Sequence, residues 1–280
     1  MPALFNFLQC SYVGRRFTRF EKHPPLINKI SLDSLWSKHE SLNSNHTITV
    51  WVVVDIFTQY YDTSIGEDVI DFLKKCNINI EMIFSENSVM AMISHGLLNE
   101  AKQELRQLAL RLNKIKKDDL VVGIEPSEAL VWRDEAKELI ANDNLPEVLL
   151  FEELVLKLQK LDVLPELNAL NNKVLVYEHC HQKSLAETSN LIKALELIPE
   201  LKTEIINGGC CGMAGEFGYK YTEISEKIAH NSLDSYMEKI EEYDRLLATG
   251  TSCRKQILDI FKIQSTHLPR LFIESVKQKG

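Results

Sequence analysis

From Thr47 onward the chain alternates between short runs of apolar, largely β-branched residues and longer segments whose apolar residues recur every three to four positions. "ITVWVVVDIF", "NIEMIF" and "DLVVGIE" read as buried strands. Helices are expected around Gly66 to Cys76, from Leu98 to Lys114 and from about Ala129. A polar, Asn-rich stretch ("ANDNLPE") and a helix over Phe151 to Lys160 lead to a second series. There "KVLVYE", "KTEIIN" and "RLLATG" read as strands, alternating with helices around Leu185 to Leu197, Tyr221 to Ile240 and Lys255 to Phe261. Such alternation predicts parallel strands covered on both faces, the α/β class. Residues 1 to about 45 lack the pattern and read as an arm with short helices.

The two series look like one unit written twice. "WVVVDIF" corresponds to "VLVYEHC" at an offset of 123, and "IEPSE" to "TGTSC" at 125. The expected architecture is two tandem Rossmann-like units with mostly parallel sheets. Its divisions are an N-terminal arm (1–45), a first unit (46–160) and a second unit (161–280).

Apolar residues make up 45% of the 280 positions and charged residues 26%, a globular composition. The net charge of −8, with no basic stripe, argues against nucleic-acid binding. The longest apolar run is too short to span a bilayer, and the first residues lack a secretory pattern. The expected location is cytoplasmic, peripheral to a membrane only through partners. In a reducing compartment, clustered cysteines point to metal or catalysis more than to disulfides.

Four of the six cysteines lie in the second unit, and each follows a strand: Cys180 the first, Cys210 and Cys211 the second, Cys253 the third. Loops at the carboxyl ends of parallel strands share one edge, so the four thiols are expected to converge. Gly208, Gly209, Gly212 and Gly215 allow the adjacent pair to serve one centre. The helix after "GEFGY" would turn its positive end toward them. Cys10 and Cys76 fall outside the pattern. In the first unit the corresponding positions are Phe57, Asn87, Ser88 and Glu128, so one site is expected and not two. Four thiolates suit a [4Fe–4S] cluster or tetrahedral zinc, and ligand count does not separate them. His179 and His181 flank Cys180 as candidate ligands, or as donors to one. Glu125 and Glu128 read as solvated loop carboxylates. No nucleophile triad, paired-carboxylate motif or phosphate-cradling loop is evident.

"HCHQKS…GGCCGMAGEFGY…GTSCRKQI" resembles the second cysteine-rich CCG repeat at the C-terminal end of bacterial FAD-linked, iron–sulfur D-2-hydroxyacid (D-lactate/glycolate-type) dehydrogenases. The repeat also occurs in glycolate oxidase iron–sulfur subunits, anaerobic glycerol-3-phosphate dehydrogenase C subunits and heterodisulfide reductase B subunits. "DIFTQYYDTSIGEDVIDFLKK", "ISHGLLNEAK" and "IEPSEALVWRDE" are similar to the family's first repeat, so the resemblance covers roughly residues 45 to 275. It implies a [4Fe–4S] cluster on Cys180, Cys210, Cys211 and Cys253, with zinc as the alternative. It also implies a flavin-containing dehydrogenase subunit as partner, carrying FAD and the substrate site, and a quinone or another carrier as electron acceptor.

The departures are specific. The first repeat's usual thiols are replaced by Asn87, Ser88 and Glu128, and the fullest motif's last C-x-x-C keeps only Cys253, with Gln256 three residues on. No C-x-x-C-x-x-C run occurs, and no FAD domain fits the length. His267 in "STHLPRLF" is similar to a family position but has no mechanistic reading. A zinc-stapled, non-redox assembly or docking protein is the reading from a different class, and a remnant with little activity is a third.

Overall fold

The computed structural model describes residues 2–37, 48–141 and 145–277. The end of the expected arm and part of the Asn-rich stretch lie outside these residues. Four strands form a first sheet: β1 (Thr49–Val54), β2 (Asn79–Phe84), β3 (Leu120–Gly123) and β4 (Val148–Leu149). Its order is β2-β1-β3-β4. Three more, β5 (Lys173–Tyr177), β6 (Lys202–Ile205) and β7 (Arg245–Ala248), form a second sheet in the order β6-β5-β7. Every strand pair is parallel. The α/β class with two parallel, Rossmann-like sheets stands as the sequence predicts.

Each sheet puts its first strand in the centre. Val52 of β1 pairs with Met82 on one side and Val122 on the other. Leu175 of β5 likewise lies between Glu204 and Leu246. Successive connections therefore leave the central strand in opposite directions. In such sheets this reversal opens a crevice at the carboxyl ends of the strands.

The apolar alternation ends in one shared interior. Val50, Val52 and Val54 of β1 join Val174 and Val176 of β5 in a single buried cluster, with Leu32 from the N-terminal segment. Phe72, Phe151 and Phe272 pack edge-on within it at centroid distances of 5.3, 5.7 and 5.8 Å, a favourable aromatic geometry. The cluster crosses the boundary drawn between residues 160 and 161.

The short helices expected in the N-terminal segment are present, and several other elements go beyond the sequence reading. The N-terminal segment forms helices Pro2–Cys10, Tyr12–Thr18 and Leu32–Trp36. Strand β4 has only two residues, too few to show a pattern. Helices Ile56–Tyr60, Val89–Ser94 and Cys180–Leu185 are under two turns long, and side-chain caps fix them more than periodicity does. Asp55 accepts from the N–H groups of Phe57 and Thr58, Ser88 from that of Ala91, and His179 from that of His181. The sequence pattern also does not announce the helix Leu268–Ser275, which opens with a proline in its first turn. Among the described residues no helix is long and apolar enough to cross a membrane.

Candidate thiol centre

The carboxyl ends of β5, β6 and β7 carry the four cysteines. Cys180 is the first residue of the helix Cys180–Leu185 and is exposed. Cys210 and Cys211 lie in the loop after β6, the first part-buried and the second buried. Cys253 lies in the first turn of the helix Thr251–Phe261 and is 1% exposed.

All four thiols are brought together. Cys180 and Cys211 both hydrogen-bond to Cys210, and Cys211 also contacts Cys253. These bonds, with the Gly212 N–H donating to the Cys210 sulfur at 3.3 Å, hold Cys210 far below the usual thiol range. The same bonds push Cys180 and Cys211 up, because each keeps its proton to donate a hydrogen bond to Cys210, and burial adds to it. The contacts are pairwise: among the described residues no three His, Cys, Asp or Glu side chains stand ready-made as a metal cage. The donors themselves, four sulfurs from three strand ends with no disulfide among them, are of the kind that soft metals prefer.

The loop around the pair is fixed from several sides. The Tyr177 hydroxyl donates to the Gly209 carbonyl at 2.7 Å. Lys183 reaches the carbonyls of Ile206 and Gly208 at 3.4 and 3.1 Å. Ser225 donates to the Gly212 carbonyl at 2.8 Å, and Gln256 donates to Ser225 at 2.7 Å. Gln256, where the fuller motif has a cysteine, thus supports the loop. Gly212 has φ +83°, and a Cβ there would lie 2.2 Å from the Ser225 carbonyl oxygen, so glycine is required on both counts.

One expectation needs correction, that for the two loop carboxylates, and the neighbouring helix gains a second contact. The helix Thr222–Met237 spends its first N–H on Glu21 of the N-terminal segment at 2.9 Å, while Ser225 in its first turn donates to the Gly212 carbonyl beside the cysteine pair. The helices that begin at the thiols are Cys180–Leu185 and Thr251–Phe261. Glu125 and Glu128 are not free in solvent: the first is buried and the second part-buried, bonded to Ser88 and to the Val89 N–H. Glu125 is buried, and its carboxylate accepts from the Thr251 N–H at 2.9 Å, tying the first sheet's edge to the helix that carries Cys253. Burial pushes both carboxyls up, Glu128 to about 8. The contact joins residues 126 positions apart, so only the packed chain reveals it.

The histidines play supporting parts. His179 is buried and caps its helix through Nδ1, at 3.3 Å from the His181 N–H. Burial lowers its pKa to about 4, so it stays neutral. The His181 ring stands 6.5 Å away, centroid to centroid. His267 pairs with Asp68 at 3.3 Å instead of facing the thiols. Cys76 lies in the shared core, and burial raises its thiol to about 12.

No family model matches the chain. It is 29% identical to D-2-hydroxyglutarate dehydrogenase of Escherichia coli K12, over 99% of this chain and 29% of that protein. It is 26% identical to the C subunit of anaerobic glycerol-3-phosphate dehydrogenase of E. coli K12, over 59% of this chain and 43% of that one. It is 30% identical to lactate utilization protein A of Halalkalibacterium halodurans, over 44% of this chain and 47% of that one. The chain is thus related to oxidoreductases, and it spans less than a third of the D-2-hydroxyglutarate dehydrogenases it matches.

Proposed function

We propose that the chain is the electron-transfer component of an oxidoreductase acting on a 2-hydroxy acid, with Cys180, Cys210, Cys211 and Cys253 holding a [4Fe–4S] cluster. The observation that carries this reading is the run of pairwise contacts that links Cys180 to Cys210, Cys210 to Cys211 and Cys211 to Cys253 across three strand ends. A cluster bound there supplies single-electron transfer. The chain's own residues prepare the site. The Gly212 N–H offsets negative charge on Cys210, and Tyr177, Lys183 and Ser225 hold the loop carbonyls. Glu125 fixes the start of the helix bearing Cys253. Burial of Cys211 and Cys253 keeps water from two of the sulfurs, while exposed Cys180 marks the side open to a partner.

In this reading residues 161–280 carry the centre and residues 46–160 serve as its scaffold. FAD and the hydroxy-acid site reside on a flavin-containing dehydrogenase partner. A quinone or another carrier receives the electrons, in the cytoplasm or at a membrane surface reached through partners. Relatives named as D-2-hydroxyglutarate dehydrogenases and as a component of glycerol-3-phosphate dehydrogenase support this assignment.

Purification without oxygen, followed by a visible spectrum and iron, sulfide and zinc analysis, tests the proposal. The expected product is brown, with about four iron and four sulfide per chain. A colourless protein loaded with zinc would replace electron transfer with a structural staple.

A further inference from the structure

The helix Pro2–Cys10 is built the wrong way round for a free-standing protein. Its polar residues face the chain. Asn6 donates to the Ile27 carbonyl at 2.8 Å and accepts from the Ile27 N–H at 2.9 Å, and Gln9 donates to the Pro25 carbonyl at 3.1 Å. Its apolar residues, Leu4, Phe5, Phe7 and Leu8, are exposed. A surface helix normally buries its apolar stripe and shows its polar one. The next helix, Tyr12–Thr18, adds exposed Val13 and Phe17, the last 90% exposed. The two helices meet closely at Gly14, where a Cβ would lie 2.1 Å from the Leu8 carbonyl oxygen. Exposed clusters of large apolar side chains mark interaction sites.

The chemistry around the patch narrows its occupant. Residues 2–20 contain three arginines and no acidic residue, while the whole chain carries −8. The complementary surface is an apolar groove with an acidic rim. An anionic bilayer would attract the arginines but repel the rest of an acidic protein, which favours a polypeptide over a lipid surface.

The position of the segment narrows it further. Past Thr18 the chain runs directly onto the thiol loop's supports. The Glu21 N–H donates to the Tyr219 carbonyl at 2.7 Å, and the Phe20 ring packs against Tyr219 at 5.4 Å. Lys22 donates to Gln256 at 2.9 Å, Gln256 to Ser225, and Ser225 to the Gly212 carbonyl beside the cysteine pair. In the E. coli relative, a match covering 99% of this chain occupies only 29% of one longer polypeptide. Most of that polypeptide thus lies outside the part this chain matches.

From these observations we infer that Leu4, Phe5, Phe7, Leu8, Val13 and Phe17 form the docking face for the flavin-containing dehydrogenase polypeptide, seating it next to the thiol centre. The inference rests on the proposed function for the identity of that partner.

The test uses the full chain and its Phe7→Glu/Phe17→Glu variant as baits in an extract of the source cells. Captured polypeptides are identified by mass spectrometry and assayed for flavin fluorescence. Both substituted side chains project outward, so the circular dichroism spectrum and metal content should match wild type. Wild type is expected to capture a flavin-containing dehydrogenase, and the variant at least about tenfold less. Equal capture by both baits, or capture of no flavoprotein, overturns the inference. So does a wild-type dimer in light scattering that the variant abolishes, since a second copy would then cover the face. Co-sedimentation of wild type, but not variant, with phosphatidylglycerol vesicles would reassign the face to a membrane and overturn it as well. Metal content is read separately. A bait free of iron that still captures the flavoprotein through Phe7 and Phe17 keeps the docking face and removes the iron–sulfur reading.

Discussion

The Ser88 hydroxyl donates a hydrogen bond to the Glu128 carboxyl. By the sequence offsets these positions match Cys211 and Cys253, whose thiols touch in the second unit. The first unit thus keeps the contact and changes its chemistry from sulfur to oxygen. The Val89 N–H donates to the other Glu128 oxygen at 3.1 Å.

This pair has a pH signature. Burial raises the Glu128 carboxyl to about 8 from an ordinary value of 4.5, so the folded state holds the proton more tightly than the unfolded one. The resulting stability is complete below about 4.5 and is lost as pH rises toward about 8. Glu128→Gln should flatten the stability profile between pH 5 and 8, by at most about 1.4 kcal/mol per pH unit. Glu152, also raised to about 8, contributes equally to both proteins and cancels in the comparison. Urea unfolding at a series of pH values measures this, and parallel profiles for wild type and variant would contradict it.

Two glycines beside the cysteine pair give a matched comparison. Gly215 has φ +62° with open space where a Cβ would go, so Gly215→Ala should cost only the left-handed strain, about 1–2 kcal/mol. Gly212→Ala adds a collision with the Ser225 backbone and should cost clearly more. Equal unfolding midpoints for the two variants would show that the loop does not press on Ser225.

The strands and the convergence of the thiols were legible in the sequence because both depend on local rules. "NIEMIF" is β2, and the helix over Phe151 to Lys160 begins and ends where its period predicts. Cysteines that each follow a strand must share an edge once the strands are parallel. What stayed hidden depends on contacts distant in sequence. "IEPSE" looks like a polar loop until Glu125 meets Thr251 from the other unit. The inverted faces of Pro2–Cys10 depend on Ile27 and Pro25 drawing Asn6 and Gln9 inward, which no window of helical period contains.

Tyr177 is buried beneath the thiol loop, with its hydroxyl on the Gly209 carbonyl. Tyr177→Phe leaves that loop without its anchor. Stability should fall by about 1–2 kcal/mol. Metal affinity, measured by competition with a chelator, should fall by roughly tenfold. Unchanged affinity in a variant of reduced stability would assign Tyr177 to packing alone.

Cys76 and Cys210 should separate cleanly. Cys76 packs in the apolar core, so Cys76→Ser places a hydroxyl among hydrocarbons and should cost about 1–2 kcal/mol, more than its unremarkable place in the sequence suggests. Its metal content should equal wild type. Cys210→Ser should lose the metal, and with it the part of the folding energy that binding supplies. Elemental analysis of the two variants decides the matter: full metal in Cys210→Ser would remove that residue from the centre.

The triangle of Phe72, Phe151 and Phe272 bears on how such a chain can change over time. Its rings come from helices before, at and well after the boundary between the units, and they close one interior. A half with no part in the thiol centre still supplies a wall that the half bearing the centre cannot do without. Heat should therefore melt both halves in one step. Substitution is free to strip the chemistry from the first half, whereas deleting that half would open the core of the second.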